Sequence, residues 1–193
     1  LLQKKRIGLF GGTFDPVHLG HTIVAEWLQF KLDLIEIHFI PNYAHPFSKR
    51  DDISAPEHRL KMLELALSEF PAFKICKHEI EKKEISYSID TIRYFTEQYP
   101  DYKLYYLIGG DNIDEFHLWK NSDDIFKLAT VIVYDRIGRI DDKPIKFQFI
   151  DSPLIEISSS QIREHVKKGY PYRSFLHPDV YHYIKQKKLY KAA

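Results

Sequence analysis

The chain reads as an α/β protein built on a Rossmann-like, doubly wound and mainly parallel sheet with helices on both faces. Three observations predict this. Short apolar runs rich in β-branched and aromatic residues alternate with stretches of helical periodicity over most of the 193 residues. Gly, Pro and Ser mark many of the breaks between them. The glycine-bearing loops follow apolar runs, and an open parallel sheet binds its ligands at the carboxyl ends of its strands.

In chain order, Ile7, Leu9 and Phe10 form a buried strand, Gly11 and Gly12 turn the backbone and let it approach a ligand, and a helix starts at Leu19. Ile23, Val24, Trp27 and Leu28 make the apolar stripe of that helix. Residues 35–40 are a second strand ended by Pro41, followed by a loop through Asn42, Pro46 and Lys49. Ser54-Ala55-Pro56-Glu57 fits a capping box ahead of a helix that carries Leu60, Leu63 and Leu67 on one face. Residues 73–76 are a short strand, and the charged run from Glu79 to Glu84 reads as a solvated face. Ser88 caps a helix bearing Ile89, Ile92, Tyr94 and Phe95 that stops at Pro100. Residues 104–108 are a nearly continuous apolar strand running into Gly109-Gly110-Asp111. A helix over 123–128, a strand over 131–134 with Asp135 and Arg136 at its end, and an edge strand over 147–150 complete the alternation. From Ser158 to Tyr190 two helices flank Gly169-Tyr170-Pro171. The expected organisation is one domain over 1–193, with 158–193 as its C-terminal helical part.

Charge and composition exclude several function classes. Lys and Arg total 28 against 27 Asp and Glu, and a net charge of +1 supplies no field for sequence-independent nucleic-acid binding. Any phosphate affinity must be local. Cys76 stands alone, which excludes an internal disulfide framework and a cysteine-based zinc site and fits a reducing compartment. No run approaches the roughly 18–20 apolar residues of a membrane span, and the start of the chain lacks a signal-peptide apolar region. A cytoplasmic protein without nucleic-acid or membrane partners is expected, with a homo-oligomer left open.

The densest chemistry lies in Gly11-Gly12-Thr13-Phe14-Asp15-Pro16-Val17-His18-Leu19-Gly20-His21. A glycine turn entering a helix presents unpaired N–H groups and a positive dipole end, which together favour an anion. His18 and His21, three apart, can face that same anion. The stretch matches neither G-x-G-x-x-G nor the P-loop, so hydride transfer and Walker-type hydrolysis lose support, and no H-E-x-x-H pattern makes the histidines metal ligands. A second anion site is expected where Ser158, Ser159 and Ser160 precede a helix carrying Arg163, whose planar cation suits bidentate phosphate binding.

These motifs carry a resemblance. Residues 11–21 resemble the H-x-G-H signature of the nucleotidyltransferase superfamily in its G-G-T-F-D-P-x-H form, and residues 157–163 are similar to its I-S-S-T-x-I-R element. Ser86-Tyr87-Ser88-Ile89-Asp90-Thr91 resembles the S-Y-T-x-D-T element of bacterial nicotinate-nucleotide adenylyltransferases, with Ser88 in place of the usual Thr. Ile108-Gly109-Gly110-Asp111 followed by Trp119 resembles that family's G-x-D…W region, and Val180, Tyr183, Ile184, Leu189 and Tyr190 resemble its closing V-x-x-Y-I…L-Y pattern. One departure stands out: where that family has P-P-H-K, this chain has Pro46-Phe47-Ser48-Lys49, keeping the lysine and losing the histidine.

The resemblance implies transfer of the adenylyl group of ATP to nicotinate mononucleotide, giving deamido-NAD and pyrophosphate in NAD biosynthesis, with Mg2+ arriving on ATP. It implies His18, His21 and Arg163 as catalytic residues. It implies an ATP site made of Gly11, Gly12, Thr13, Phe14, His18, His21, Gly109, Asp111, Ile157, Ser159, Ser160 and Arg163, and an acceptor site made of Asp15, Lys49, Ser88 and Trp119. The histidines would meet the α-phosphate, and Arg163 with the serines would hold the β- and γ-phosphates. Trp119 would stack on the pyridinium ring, with core packing as its rival role. Asp111 would accept from ribose hydroxyls or cap a helix from Ile113. Asp15 would position the loop or sit near the ion. Two alternatives remain: phosphopantetheine adenylyltransferase, which shares both anion motifs, and a non-catalytic adenine-nucleotide sensor.

Overall fold

The computed structural model describes residues 4–44, 53–135, 145–153 and 155–191. Six strands, β1 (Arg6–Gly12), β2 (Glu36–Pro41), β3 (Phe73–Ile75), β4 (Lys103–Gly109), β5 (Thr130–Asp135) and β6 (Gln148–Asp151), form one sheet in the order β3-β2-β1-β4-β5-β6. Every neighbouring pair is parallel. The helices are α1 (Leu19–Leu32), α2 (Pro56–Ala66), α3 (His78–Lys82), α4 (Ser88–Gln98), α5 (Ser122–Leu128), α6 (Ser159–Lys168) and α7 (Pro178–Lys187). No helix among the described residues is long and apolar enough to cross a membrane.

The central strands are apolar on both sides because both sides are covered. Phe10, Ile37, Phe39, Tyr105 and Leu107 point into a core shared with α1, α2, α6 and α7. Ile7, Leu9, Leu104, Tyr106 and Ile108 point into the opposite core, closed by α4 and α5. The register sets Phe10 beside Phe39 on one neighbour and beside Leu107 on the other, so like faces meet. Each such fully buried side chain contributes roughly 1.5–3 kcal/mol relative to exposure.

Strand order reverses between β1 and β4, which lie side by side at the centre of the sheet. Their carboxyl ends carry Gly11-Gly12 and Gly109. A crevice opens at such a reversal, so the topology itself brings the first glycine loop and the Gly109–Asp111 segment together.

Three local expectations are corrected. The buried arc of α1 is Val24, Ala25, Leu28 and Leu32, while Ile23 is 36% exposed. Trp27 is half-buried and reaches the sheet edge instead, its indole N–H donating to the Asp151 carbonyl at 2.6 Å. Ser54 forms no capping box: Ala55 is the N-cap of α2, Pro56 fills its first position, and the backbone of Ser54 is engaged elsewhere. Ser88 lies inside α4 rather than capping it, and its Oγ accepts from the Tyr106 hydroxyl at 2.7 Å. Two helices flank Gly169-Tyr170-Pro171 as expected, Gly169 closing α6 in the left-handed region at φ 70°, and Pro178 opens α7.

Candidate active site

His18 is the N-cap of α1, in extended backbone, and His21 lies one turn further on. Their rings sit 3.8 Å apart, centroid to centroid. The backbone N–H of His18 donates to Nδ1 of His21 at 3.2 Å. A neutral His21 therefore carries its proton on Nε2. Phe10 and Phe14 pack around the His21 ring, at 6.1 and 5.1 Å between centroids. Burial in this apolar setting lowers the His18 pKa to about 4. It lowers that of His21 well below the ordinary value too, with the neighbouring His18 adding to the effect. Both are neutral hydrogen-bonding groups at pH 7 rather than cations. Nδ1 of His18 is buried against the start of α1, where the side chains and backbones of His18 and His21 form a reciprocal capping box. The glycine between the histidines is a matter of space: a Cβ on Gly20 would stand 3.0 Å from two His18 ring atoms and 3.2 Å from Ile155.

Behind the histidines, the loop from Thr13 to Pro16 is held from four distant parts of the chain. Phe14 sits in the left-handed region at φ 50° although it is not glycine, and it is buried. The Thr13 carbonyl accepts from Arg59 Nη1 at 2.9 Å, the Asp15 carbonyl from Arg163 Nη1 at 2.6 Å, and the Pro16 carbonyl from Ser159 Oγ at 2.8 Å. Asn42 Nδ2 donates to Thr13 Oγ1 at 3.3 Å. Arg59 is 1% exposed, and burial pulls its pKa down against the opposing charge of Asp15. The Asp15 carboxylate, also 1% exposed, accepts from the Tyr190 hydroxyl at 2.6 Å and from the Ser54 N–H at 3.3 Å.

Two cavities of ligand-binding size flank the histidines. One, of about 740 Å³, is walled by Gly11, Gly12, Thr13, Asn42, Glu79, Ser88, Trp119 and Lys120 among others. The other, of about 490 Å³, is walled by His18, Gly20, Asp135, Ile157, Ser158 and Ser159 among others. His21, Gly109, Asp111 and Tyr134 border both. A larger cleft of about 840 Å³ opens at the amino ends of β4 and β5 and contains no motif residue.

The structure thus brings most of the expected site together. Phe14, Asp15, Ser160 and Arg163 border neither of the two cavities. Phe14 packs on His21, Ser160 Oγ accepts from Arg163 Nη2 at 3.0 Å, and Asp15 and Arg163 lie behind the loop. Asp111 belongs to a single 3₁₀ turn over 110–112, with its Oδ1 accepting from Asn112 Nδ2 at 2.9 Å, so the expected helix from Ile113 does not form. Trp119 is half-buried, its ring edge-on to Tyr106 at 6.2 Å and tilted on Phe116 at 4.9 Å, and it both packs on the core and walls the larger cavity. Lys49, with Pro46, Phe47 and Ser48, and Arg136 lie outside the described residues.

Several wall residues escaped the sequence reading. Glu79 belongs to the charged run expected to be a solvated face. It instead faces the larger cavity, accepts from the Thr91 hydroxyl, and has its pKa raised chiefly by burial. The signal in the sequence is its place just beyond the strand over 73–76, where an open parallel sheet binds ligands. Tyr106 belongs to the apolar strand, yet its hydroxyl reaches Ser88, and burial pushes its pKa up. Lys120 follows Trp119 on the wall, with its Nζ 3.1 Å from Asp90 and 4.4 Å from the Tyr87 ring centre.

The parallel order, the paired histidines at the reversal point and the serine-led helix opposite them define a nucleotidyltransferase of the cytidylyltransferase-like family, which residues 9–165 match. A relative from Bacillus licheniformis, named a probable nicotinate-nucleotide adenylyltransferase, is 36% identical over 187 residues, 97% of this chain and 99% of the relative. One of the same name from Halalkalibacterium halodurans is 38% identical over 190 residues, covering 97% and 92%. The chain belongs to the nicotinate-nucleotide adenylyltransferase family. Its fold matches a solved Plasmodium falciparum nicotinic acid mononucleotide adenylyltransferase complexed with NaAD, with a TM-score of 0.80, 23% identity, and 96% and 97% of the two chains covered.

Proposed function

We propose that this chain transfers the adenylyl group of ATP to nicotinate mononucleotide, forming deamido-NAD and pyrophosphate. The observation that carries the reading is the position of His21: it borders both cavities, so substrates seated in each would meet at its imidazole. Nicotinate mononucleotide takes the larger cavity, with its ring against Trp119, and ATP takes the smaller one, with its ribose near Asp111.

The acceptor phosphate is already an anionic nucleophile, so the protein needs no covalent intermediate. Catalysis consists of aligning that phosphate with the α-phosphorus and stabilising the charge that builds as pyrophosphate leaves. Neutral His21 offers its Nε2–H as a fixed donor, and the His18 ring, which borders the smaller cavity, supplies a second polar contact. Ser159 and the free N–H groups at the start of α6 hold the β- and γ-phosphates. Arg163 contributes by pinning the loop at the Asp15 carbonyl and by its charge close beneath it. Mg2+ enters as part of the ATP substrate and keeps several of its waters. The setting we assign is cytoplasmic, with small-molecule partners only.

The test is pyrophosphate release from ATP with nicotinate mononucleotide, nicotinamide mononucleotide or phosphopantetheine as acceptor. Release with the first in clear preference supports the reading. Preference for phosphopantetheine, or no release with any acceptor, overturns it.

A further inference from the structure

We propose that Tyr190 is a positioning residue for the phosphate loop, acting through Asp15 so that the end of the chain sets the placement of His18 and His21. The inference rests on the phosphate-contact role given to those histidines above.

Its basis is a hydrogen bond between residues 175 apart in sequence, Tyr190 hydroxyl to Asp15 Oδ1 at 2.6 Å. Lys188 is the left-handed C-cap of α7, and two residues on Tyr190 also occupies the left-handed region, at φ 61°, which a non-glycine residue adopts at a cost and keeps where surrounding contacts enforce it. The acceptor is a carboxylate only 1% exposed, and a desolvated charge needs its partners. Tyr190 supplies one, the Ser54 N–H another, and the Arg59 charge lies close by. Losing the hydroxyl takes one donor from a buried carboxylate, and the loop shifts toward the donors that remain.

That shift would reach the histidines directly. The Asp15 and Pro16 carbonyls are tied down from behind by Arg163 and Ser159, and the Thr13 carbonyl by Arg59. In a trans peptide unit the N–H points opposite to the C=O, so tying the Thr13 and Pro16 carbonyls backward turns the N–H groups of Phe14 and Val17 the other way. His18 follows Val17 immediately, and its own N–H holds His21. Asp15 is therefore the point at which the C-terminal tail grips the segment that orients both imidazoles.

The experiment compares Tyr190→Phe, which keeps the ring and removes the hydroxyl, with Tyr183→Phe. Tyr183 lies on α7, and its hydroxyl sits 2.8 Å from Nδ1 of His58 on α2. Tyr190→Phe is expected to lower kcat on the order of tenfold, the scale of one hydrogen bond to a charged group, with little change in either KM. It is also expected to shift the ¹⁵N imidazole resonances of His18 and His21 in ligand-free protein. Tyr183→Phe should leave kcat and those resonances in place. An unchanged kcat with unshifted imidazole signals in Tyr190→Phe, or an equal loss in Tyr183→Phe, overturns the proposal. If the wild-type chain turns over no acceptor, the proposed reaction fails, while the imidazole resonances still decide whether Tyr190 positions the loop.

Discussion

The backbone N–H of His18 donates to Nδ1 of His21 at 3.2 Å, and this one bond fixes how the second histidine can act. It orients the ring and places the proton of the neutral form on Nε2. Burial among Phe10 and Phe14 keeps the ring in that form. A group held as a directed neutral donor can strengthen its contact as charge develops on a phosphate, without attracting the ground-state anion as a cation would.

Replacing His21 should accordingly affect turnover more than binding. His21→Ala is expected to lower kcat by a hundredfold or more, about 2.7–4 kcal/mol, with a much smaller rise in the KM for ATP. Steady-state kinetics on the folded variant provide the check. Near-normal kcat would remove His21 from the mechanism.

The same burial makes the fold sensitive to acid. His18 has a folded pKa of about 4 against an ordinary 6.5, so between those values the unfolded chain binds more protons and stability rises with pH. The His18 contribution is complete above pH 6.5 and is lost as pH falls towards 4, a difference of about 3 kcal/mol. Urea denaturation midpoints at pH 7.5 and 4.5 should differ less in His18→Gln than in the wild type. Equal differences would show that His18 is not desolvated as described.

What could be read from the sequence followed from local patterns. Residues 7–21 announce a strand, a glycine turn and a helix start because those signals depend on neighbours a few positions away, and β1, the loop and α1 form there. Contacts made across the fold were hidden. Arg59 occupies a helix whose mean composition is polar, and nothing local distinguishes it from a surface arginine, yet it is 1% exposed beneath Thr13. Asp15 was expected at the substrate because it lies in the motif, whereas its partner Tyr190 comes from the far end of the chain. Ser54 satisfies the spacing of a capping box, but its N–H donates across the fold to Asp15 and its carbonyl accepts from Arg59 on the following helix. In α1 the error was one of phase: Trp27 suits a core position by hydrophobicity, yet its indole N–H needs an acceptor and finds Asp151 at the sheet edge.

Arg59 lends itself to a stability test. Arg59→Met keeps much of the apolar volume but removes the donors to Thr13 and Ser54 and takes one buried cation from beside Asp15. Removing one partner of a buried charged pair costs about 3–5 kcal/mol. The denaturant midpoint should fall by that equivalent with an unchanged slope. A loss under about 1 kcal/mol would show that the buried network is dispensable.

Trp119 decides whether the larger cavity is the acceptor site. Its ring already packs on Phe116 and Tyr106, which hold it in place, and it walls the cavity together with Ser88 and Lys120. An electron-poor pyridinium stacked on the indole face gains roughly 1–2 kcal/mol. Trp119→Ala should therefore raise the KM for nicotinate mononucleotide by about five- to thirtyfold, and Trp119→Phe by less, with the KM for ATP little changed. Measuring both KM values in each variant separates the two roles of this residue. A pure packing role would lower stability and depress both substrates' kinetics alike, and an effect confined to ATP would exchange the occupants assigned to the two cavities.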